Sequence, residues 1–355
     1  MNEPSPAVAL FTELIRQAEA AGASDVHLQR MDGGARVAFR LDGLLTPVRE
    51  IPGALAEHLF GRIKYLARLK TYQDSLPQDG RIDQADSGAR GDLRVATYPT
   101  VTGEKIVLRL FQSTSARTLD ELEFPPGAVD ELRAFLRQEN GMLLLTGPAG
   151  SGKTTTIYAC LRQLAAGGGR HVITIEDPAE QVLPGIMQTE VNEAAGLTFA
   201  VAARHLLRQD PQVLALGEIR DDETATLAVR AALTGHLVIS TLHAGSCRGV
   251  LERLLVMCPD RGAATSALAL VLNQRLMRRR CGDCAGRGCA ACLQTGYRGR
   301  IPLVEWVRLD DAARARWRAG EAGAVTPARS LADAARDLVD RGLSDQAEHD
   351  RILGL

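Results

Sequence analysis

Eight consecutive residues have the composition of a phosphate-binding loop. They match the pattern G-x-x-x-x-G-K-[ST] at every fixed position and are Gly147, Pro148, Ala149, Gly150, Ser151, Gly152, Lys153 and Thr154. Glycines let backbone N–H groups approach phosphate oxygens, Lys153 offers a charge to the β- and γ-phosphates, and the Thr154 hydroxyl can ligate Mg²⁺. Thr155 continues into a helix whose amino terminus adds partial positive charge. The pattern predicts nucleotide binding; the alternative is a glycine-rich strand-to-helix turn without a nucleotide.

Acidic residues follow two apolar, strand-length segments downstream of this loop. The first segment leads into Glu176, Asp177 and Glu180, and the second leads into Glu218. Because the carboxyl ends of parallel strands form the ligand-binding edge of an α/β sheet, these carboxylates are expected near the phosphates. We predict that Glu218 supports Mg²⁺ and that Glu176 orients the attacking water, a role that Asp177 or Glu180 is close enough to take. The alternative for each is a solvated acidic loop.

His243 follows a third strand-length segment of the same kind. A histidine at this edge of a sheet could contact a γ-phosphate and so respond to whether the nucleotide is intact. A purely structural histidine is the alternative, and the residue pattern favours neither.

Four of the seven cysteines fall within a short segment and form two C-x-x-C pairs: Cys281, Cys284, Cys289 and Cys292. This spacing can place four thiolates around one tetrahedral Zn²⁺. Such a site would be structural, because four protein ligands leave no coordination position open for water. A redox-active pair is the alternative.

The second part of the chain alternates short apolar segments with helical patterns. The strand-length segments are Met142–Leu145, Val172–Ile175, Val213–Leu216 and Leu237–Ile239. Helices are predicted between them, for example over Thr154–Leu164 and Thr198–Gln209. Continuous apolar strands separated by helices predict a parallel α/β sheet covered on both faces. After Leu251 we expect helices, interrupted by the cysteine segment.

The first part of the chain predicts a small α+β domain. A helical period over Ala7–Ala21 precedes a hairpin over Ser24–Leu45, which turns at Asp32, Gly33 and Gly34. A second helix over Pro52–Leu69 and a strand pair over Leu93–Thr97 and Lys105–Phe111 follow. The polar residues after this pair predict a linker.

Composition and charge exclude several classes of protein. The 355 residues contain 42 Lys plus Arg and 43 Asp plus Glu, so the net charge of −1 gives no overall basic field for nucleic acid. No apolar run has the 18 or more residues of a spanning helix, and no basic-then-apolar leader opens the chain. We therefore expect a cytosolic protein that holds no nucleic acid stably; the alternative is a local basic patch, for which the run Arg278–Arg280 is the candidate.

Together the motifs resemble those of the type II secretion and type IV pilus assembly ATPases, the secretion traffic ATPases. "GPAGSGKTTT" resembles the family's Walker A motif, "ITIEDPAE" its Asp box, "VLALGEIRDDETA" its Walker B motif with glutamate, and "TGHLVISTLHA" its His box. Upstream, "AGASDVHLQ", "FRLDGLL", "LPQDGRI" and "RVATYPTVTGEKIVLRL" resemble the second amino-terminal domain of the family, a PAS-like α+β module. The resemblance covers nearly the whole chain.

The resemblance implies a domain order. By this resemblance the chain is an α/β protein that begins with a PAS-like α+β domain over residues 1–112 and a linker over 113–118. A RecA-like P-loop ATPase core over 119–275, a tetracysteine zinc subdomain over 276–300 and a helical C-terminal part over 301–355 would follow. In the family, cysteines of this kind mark assembly-type members and are generally lacking in retraction-type members. The short loop between the two cysteine pairs departs from the family pattern.

The resemblance also implies roles for five arginines. Arg94 and Arg109 would reach the nucleotide of a neighbouring subunit, with Arg81 as a helper. Arg204 and Arg208 are expected at positions i and i+4 of one helix, on one face near the phosphates. Arginines acting between subunits require an oligomer, and family members form hexameric rings.

The implied function is a hexameric motor that hydrolyses ATP to power assembly of a type II secretion pseudopilus or a type IV pilus. It would bind ATP together with Mg²⁺, and separately Zn²⁺. Its partners would be an inner-membrane platform protein and the cytoplasmic domain of a membrane assembly protein, which would hold the cytoplasmic motor peripherally at the inner membrane. One alternative is a DNA-uptake ATPase of the competence type, a branch of the same family whose members have short chains like this one. The others are a RecA-like nucleic-acid translocase and a zinc-stabilised nucleotide-binding regulator without turnover.

Overall fold

The computed structural model describes residues 5–110, 117–321 and 323–354. These residues form two compact units. The first unit comprises residues 5–110 together with Arg278–Arg300, and the second comprises residues 117–277 together with residues 301–321 and 323–354. Residues 113–116 of the predicted linker, and Phe111 at the end of a predicted strand, lie outside the described residues.

The first unit contains an antiparallel sheet of six strands in the order β3-β2-β1-β6-β5-β4. Its elements are α1 (Pro6–Ala20), β1 (Asp25–Met31), β2 (Gly34–Leu41), β3 (Leu44–Pro52), α2 (Gly53–Leu66), β4 (Gln78–Ile82), α3 (Gln84–Ser87), β5 (Leu93–Thr100) and β6 (Gly103–Leu110). The predicted helices, hairpin and strand pair are present. Strands β3 and β4 were not predicted, because β3 is a mostly exposed strand containing Pro47 and β4 is a short polar strand containing Gly80.

One face of this sheet is apolar and packs with α1 and α2. Leu14 and Phe60 of the helices belong to one buried cluster with Val26, Leu28 and Val95 of the strands. Side chains alternate between the two faces of a strand, so the residues between these positions point to the opposite face. Arg81, Arg94 and Arg109 belong to that opposite face.

The second unit is built on a sheet of seven strands in the order β13-β12-β7-β11-β10-β8-β9. Up to β11 its elements are α4 (Pro126–Leu136), β7 (Gly141–Thr146), α5 (Lys153–Gly167), β8 (Val172–Glu176), β9 (Met187–Glu190), α6 (Phe199–Leu206), β10 (Val213–Leu216), α7 (Asp222–Leu233) and β11 (Leu237–Thr241). They are followed by α8 (Cys247–Met257), α9 (Arg261–Ala267), β12 (Leu268–Arg280), β13 (Tyr297–Arg308), α10 (Asp311–Arg318), α11 (Leu331–Asp340) and α12 (Gln346–Leu353). The end of β12 from Arg278 and the start of β13 up to Arg300 are counted with the first unit.

The four strands predicted from apolar segments are β7, β8, β10 and β11, and they pair in parallel as expected. Alternate residues of β7 pack into different clusters, with Met142 and Leu144 on one face and Leu143 and Leu145 on the other. Helices therefore cover both faces, and the α/β prediction is confirmed. The carboxyl ends of these strands form the edge on which the motif residues lie.

The prediction of helices after Leu251 is wrong for two long strands. The segment Leu268–Arg280 forms β12, which pairs in parallel with β7, and Tyr297–Arg308 forms β13 beside it. The expected helical C-terminal part therefore begins with a strand, and its helices start only at Asp311. The apolar run at Leu268 follows the alanine-rich α9 without a glycine or proline, so the sequence carries no punctuation where helix gives way to strand.

Candidate functional site

The phosphate-loop residues connect β7 to α5 in a nest of left-handed glycines. Gly147, Gly150 and Gly152 have φ angles of 136°, 73° and 90°. A Cβ on Gly147 would lie 2.2 Å from the backbone oxygen of Gln274, so no other residue fits at that position. The loop, the preceding strand and the following helix are all where the sequence predicts them.

Lys153 lies over its own loop. Its ammonium donates hydrogen bonds to the carbonyl oxygens of Gly147, at 2.9 Å, and Pro148, at 3.0 Å. Burial lowers the pKa of Lys153 below its usual value, and the charge of Glu218 partly opposes that shift. A cation held over a nest of N–H groups and influenced by a nearby carboxylate suits a phosphate next to a metal ion.

The chemistry of the loop residues fits a nucleotide phosphate with Mg²⁺. Ser151 has a buried hydroxyl without a hydrogen-bond partner among the described residues, so it can serve an incoming oxygen. The backbone N–H groups of the first turn of α5 have no intrahelical acceptor. Thr154 and Glu218 offer the hard oxygen ligands that Mg²⁺ prefers, and the bound ion would neutralise charge developing on the phosphates.

A cluster of charged side chains forms where β8, β10 and β11 end. Arg220 donates to the Glu218 carboxylate at 2.5 Å and pairs with Asp177 at 3.3 Å, and His243 Nε2 lies 3.4 Å from the other Glu218 oxygen. We call Glu218, Arg220, His243 and Asp177 the Glu218 cluster. Burial raises the pKa of Glu218, but Arg220 and His243 outweigh it, so the net pKa lies below the usual value. The carboxylate is thus kept ionised for a cation.

Glu176 lies in a different network from the Glu218 cluster. It is buried and accepts hydrogen bonds from Thr174 at 2.6 Å, from Gln188 at 2.9 Å and from the hydroxyl of Tyr158. Burial and the neighbouring Glu176 carboxylate raise the pKa of Tyr158, so its hydroxyl stays a donor. The backbone N–H of Glu180 donates to the same hydroxyl at 3.0 Å. Of the three candidates for orienting water, only Asp177 is in the Glu218 cluster.

Arg204 and Arg208 do not share a helix as expected. Arg204 is in α6 and pairs with Glu223 of α7. Helix α6 ends at Leu206. Arg208 follows in a tightened turn in which its backbone N–H donates a hydrogen bond to the carbonyl oxygen of His205 at 3.1 Å. The predicted helix over Thr198–Gln209 was therefore too long, because its last residues form i→i−3 hydrogen bonds instead of a further α-helical turn.

Three arginines face one another across β4, β5 and β6 of the first unit. Arg81 is the cross-strand partner of Arg94, and Arg94 is the partner of Arg109, so all three lie on the same face of the sheet. We call them the arginine row. All three are exposed; Arg81 pairs with Asp92, and Arg109 pairs with Asp25. These three residues were predicted from the sequence as site residues. Their alignment in one row depends on the registers of β4, β5 and β6.

The four clustered cysteines have the geometry of a metal site. Their sulfur atoms lie within 4.8 Å of one another, and hydrogen-bonded pairs are 3.7–3.9 Å apart. Tetrahedral Zn²⁺ with bonds of about 2.3 Å separates its sulfurs by about 3.8 Å, so the spacing fits that ion. Burial opposes ionisation of Cys292, but N–H groups of Cys289 and Gly296 outweigh it and lower the pKa of Cys292 to about 6. Burial and the neighbouring thiols raise the pKa of Cys281 to about 11. The arrangement suits thiolates around zinc.

The residues that hold these groups in place were not predicted from the sequence. They are Tyr158, Thr174 and Gln188 around Glu176, Arg220 beside Glu218, Asp25 beside Arg109, and Thr156 and Gln274 behind the phosphate loop. Gln274 had a usable signal, since a buried amide that interrupts an apolar strand needs a partner. The others depend on contacts between distant segments.

No helix within the described part of the chain is long and apolar enough to cross a membrane.

Comparison with known proteins connects this geometry to one family. The family described as Type II/IV secretion system protein matches residues 1–351. The type II secretion system protein HxcR of Pseudomonas aeruginosa is 41% identical over 356 residues, 98% of this chain and 75% of that protein. The type IV pilus assembly ATPase PilB of Thermus thermophilus is 38% identical over 340 residues, 88% of this chain and 38% of that protein.

A solved structure has the same fold. The ATPase DotB of Legionella pneumophila superposes with a TM-score of 0.76 at 22% identity, covering 99% of this chain and 98% of that one.

Proposed function

Since the chain belongs to the type II/IV secretion system protein family and is an ATP hydrolase, we propose that it is a hexameric motor for type II secretion pseudopilus or type IV pilus assembly. The observation that carries the proposal is the arginine row. The three exposed guanidinium groups make this sheet face positive, and their outer N–H groups can bind an anion in addition to Asp92 and Asp25, which pair with Arg81 and Arg109. The phosphates of ATP in a neighbouring subunit are such an anion, and an arginine from another chain stabilises the transition-state charge of phosphoryl transfer.

Within one subunit, the proposed roles follow the loop and the Glu218 cluster. The N–H groups of the loop and Lys153 hold the phosphates, while Thr154 and Glu218 hold Mg²⁺, which would polarise the γ-phosphate. Glu176 orients the attacking water after leaving its present donors, and His243 contacts the γ-phosphate. Arg204 and Arg208 supply further positive charge.

The remaining regions would have the roles that they have in the family. The first unit would be PAS-like, and the four cysteines would hold structural zinc. The motor would act in the cytoplasm, peripherally at the inner membrane, through a platform protein and the cytoplasmic domain of a membrane assembly protein. The relatives named for type II secretion and for pilus assembly support both machines.

The test is Mg-ATP turnover as a function of protein concentration, with particle size measured in parallel, for wild type, Arg94→Ala and Arg36→Gln. Arg36 is a matched control, because it is an arginine of the same sheet paired with exposed Glu50. We expect turnover per chain to rise as the oligomer forms and to fall about 100-fold or more in Arg94→Ala, with ATP binding kept.

Concentration-independent turnover with normal Arg94→Ala activity would contradict the proposed mechanism between subunits. Turnover stimulated by single-stranded DNA in a salt-sensitive way would instead indicate a translocase. Because the oligomer can depend on the membrane partner, the measurement is repeated with the cytoplasmic part of a platform protein, which should raise turnover.

A further inference from the structure

Asp25 is a buried carboxylate at the end of the arginine row. It opens β1 and is only 4% exposed. Its cross-strand partners are Arg109 on β6 and Arg40 on β2, so it continues the line of the row across the sheet. An ionisable side chain is rarely buried to this extent unless it is paired.

Both oxygens of Asp25 are engaged. Arg109 donates through Nε to Oδ1 at 3.0 Å. Ser24 donates its hydroxyl hydrogen to Oδ2 at 2.8 Å, and Arg40 Nε lies 3.5 Å from the same oxygen. The carboxylate is thus fixed from two sides, and Arg109 is fixed to it by one nitrogen.

The choice of nitrogen matters for Arg109. A guanidinium bound through Nε keeps its two terminal amino groups outside the pair, and these groups form the fork that binds phosphate. The Arg109 side chain is 68% exposed although its partner is buried. The bond therefore anchors the base of the guanidinium group while its outer end stays accessible to a ligand.

We propose that Asp25 is a positioning residue, which holds Arg109 in the orientation that contacts the phosphates of ATP in the neighbouring subunit. This inference rests on the proposed function. Asp25 touches neither nucleotide nor reacting atoms and acts through Arg109. Without it, the flexible arginine would populate several rotamers, and ordering it again at each turnover would reduce the rate.

The main test is kcat and KM for ATP in Asp25→Asn, which keeps the shape of the side chain and removes its charge. We expect kcat to fall about tenfold or more, with the affinity of Lys153's own loop for ATP unchanged. The matched control is Glu50→Gln, which removes an acid–arginine cross-strand pair with Arg36 on the same sheet and should keep wild-type turnover.

Mixing of variants separates positioning from a general structural role. Lys153→Ala subunits cannot hydrolyse ATP but carry a correctly held Arg109, so adding them to Asp25→Asn subunits should restore activity above the sum of the two. Adding Arg109→Ala subunits instead should restore none. A damaged fold would not be repaired by a partner in this selective way.

A second variant covers the case in which Asp25→Asn does not fold. Arg109→Lys keeps the charge but cannot bind Asp25 through Nε and a phosphate through a fork at once, so we expect a loss of kcat close to that of Arg109→Ala. Wild-type turnover in Asp25→Asn or Arg109→Lys, with Arg109→Ala impaired, overturns this inference alone. Wild-type turnover in Arg109→Ala overturns the proposed arginine mechanism as well.

Discussion

The hydroxyl of Thr156 donates a hydrogen bond of 2.9 Å to the side-chain oxygen of Gln274, joining the first turn of α5 to β12. Both groups are buried. The amide nitrogen of Gln274 lies 2.7 Å from where a Cβ of Gly152 would be, and its backbone oxygen closes the space beside Gly147. The phosphate loop is therefore shaped from behind by a strand that carries none of the family motifs.

Replacing Gln274 by leucine should loosen the loop. The change removes the 2.9 Å hydrogen bond from the Thr156 hydroxyl and leaves that hydroxyl the Gly152 carbonyl oxygen at 3.3 Å. Loss of one buried hydrogen bond costs about 0.5–1.5 kcal/mol. We expect the free energy of unfolding, measured by denaturant titration, to fall by that amount. Nucleotide affinity, measured by a binding titration, should fall as well. Thr156→Val is the matched partner, and the double variant should lose less than the two single losses added together. Fully additive losses would show that the two side chains do not act together.

Glu176→Gln and Asp177→Asn test which carboxylate orients water. If Glu176 has this role, its variant should lose kcat by about 100-fold or more with little change in KM, while Asp177→Asn should lose much less. The measurement is steady-state turnover at saturating Mg-ATP. Tyr158→Phe removes one of the donors that Glu176 has to leave before it orients water, so it should not reduce kcat. The reverse order of the first two variants would transfer the role to Asp177 in the Glu218 cluster.

The pH dependence of ATP binding should report the charge of Lys153. Burial lowers the pKa of Lys153, and Glu218 raises it in part, so affinity should be lost on raising the pH through a midpoint below the usual lysine value. Glu218→Gln removes the opposing charge, so its midpoint should lie at lower pH than in wild type. Fluorescent-nucleotide titrations without Mg²⁺ from pH 7 upward check this, with Glu252→Gln as a control acid outside the site. A midpoint that Glu218→Gln leaves unchanged or moves upward would contradict the interpretation.

Metal analysis should find one zinc per chain. Cys284→Ser should abolish it, because the remaining thiolates no longer complete a tetrahedron, whereas Cys258→Ala, a buried cysteine outside the cluster, should retain it. Chelation should also increase hydrogen exchange in the apolar core of the first unit, since Leu293 from the cysteine segment packs against it. Zinc retained in full by Cys284→Ser would exclude a four-thiolate site.

The buried pair of Lys64 and Glu104 gives a prediction on stability. Their charged atoms are 2.9 Å apart, and both side chains are almost inaccessible. Glu104→Gln leaves the ammonium uncompensated and should reduce the free energy of unfolding by about 3–5 kcal/mol. Glu50→Gln, in an exposed pair with Arg36, should change it by about 0–1 kcal/mol. Denaturant unfolding of both variants compares them, and equal effects would contradict the burial argument.

Local pattern was enough for the parallel sheet and its loop. The strands at Met142 and Val213 are continuous apolar runs between helix signals, and the glycines before Lys153 have the spacing of a phosphate-binding loop. These features depend on residues close together in the chain. They could therefore be predicted with nearly correct bounds.

Pairing between distant segments could not be predicted in the same way. Residues Arg81, Arg94 and Arg109 become one row only through the registers of β4, β5 and β6, and Asp25 joins them from β1. A register shift of one residue would send these side chains to the other face of the sheet. Strand β12 was missed because its apolar run follows a helix without a break.

The first unit is completed by a segment that is made late. Residues 5–110 share their apolar core with Leu293, and Asp42 accepts a hydrogen bond of 2.9 Å from the N–H of Gly299. During synthesis from the amino terminus, these contacts cannot form until most of the second unit has left the ribosome. The earliest part of the chain to emerge must wait for residue 300 before its surface is closed. A fragment ending near residue 110 would keep that surface open to solvent, so an expression fragment of this unit needs Arg278–Arg300 attached.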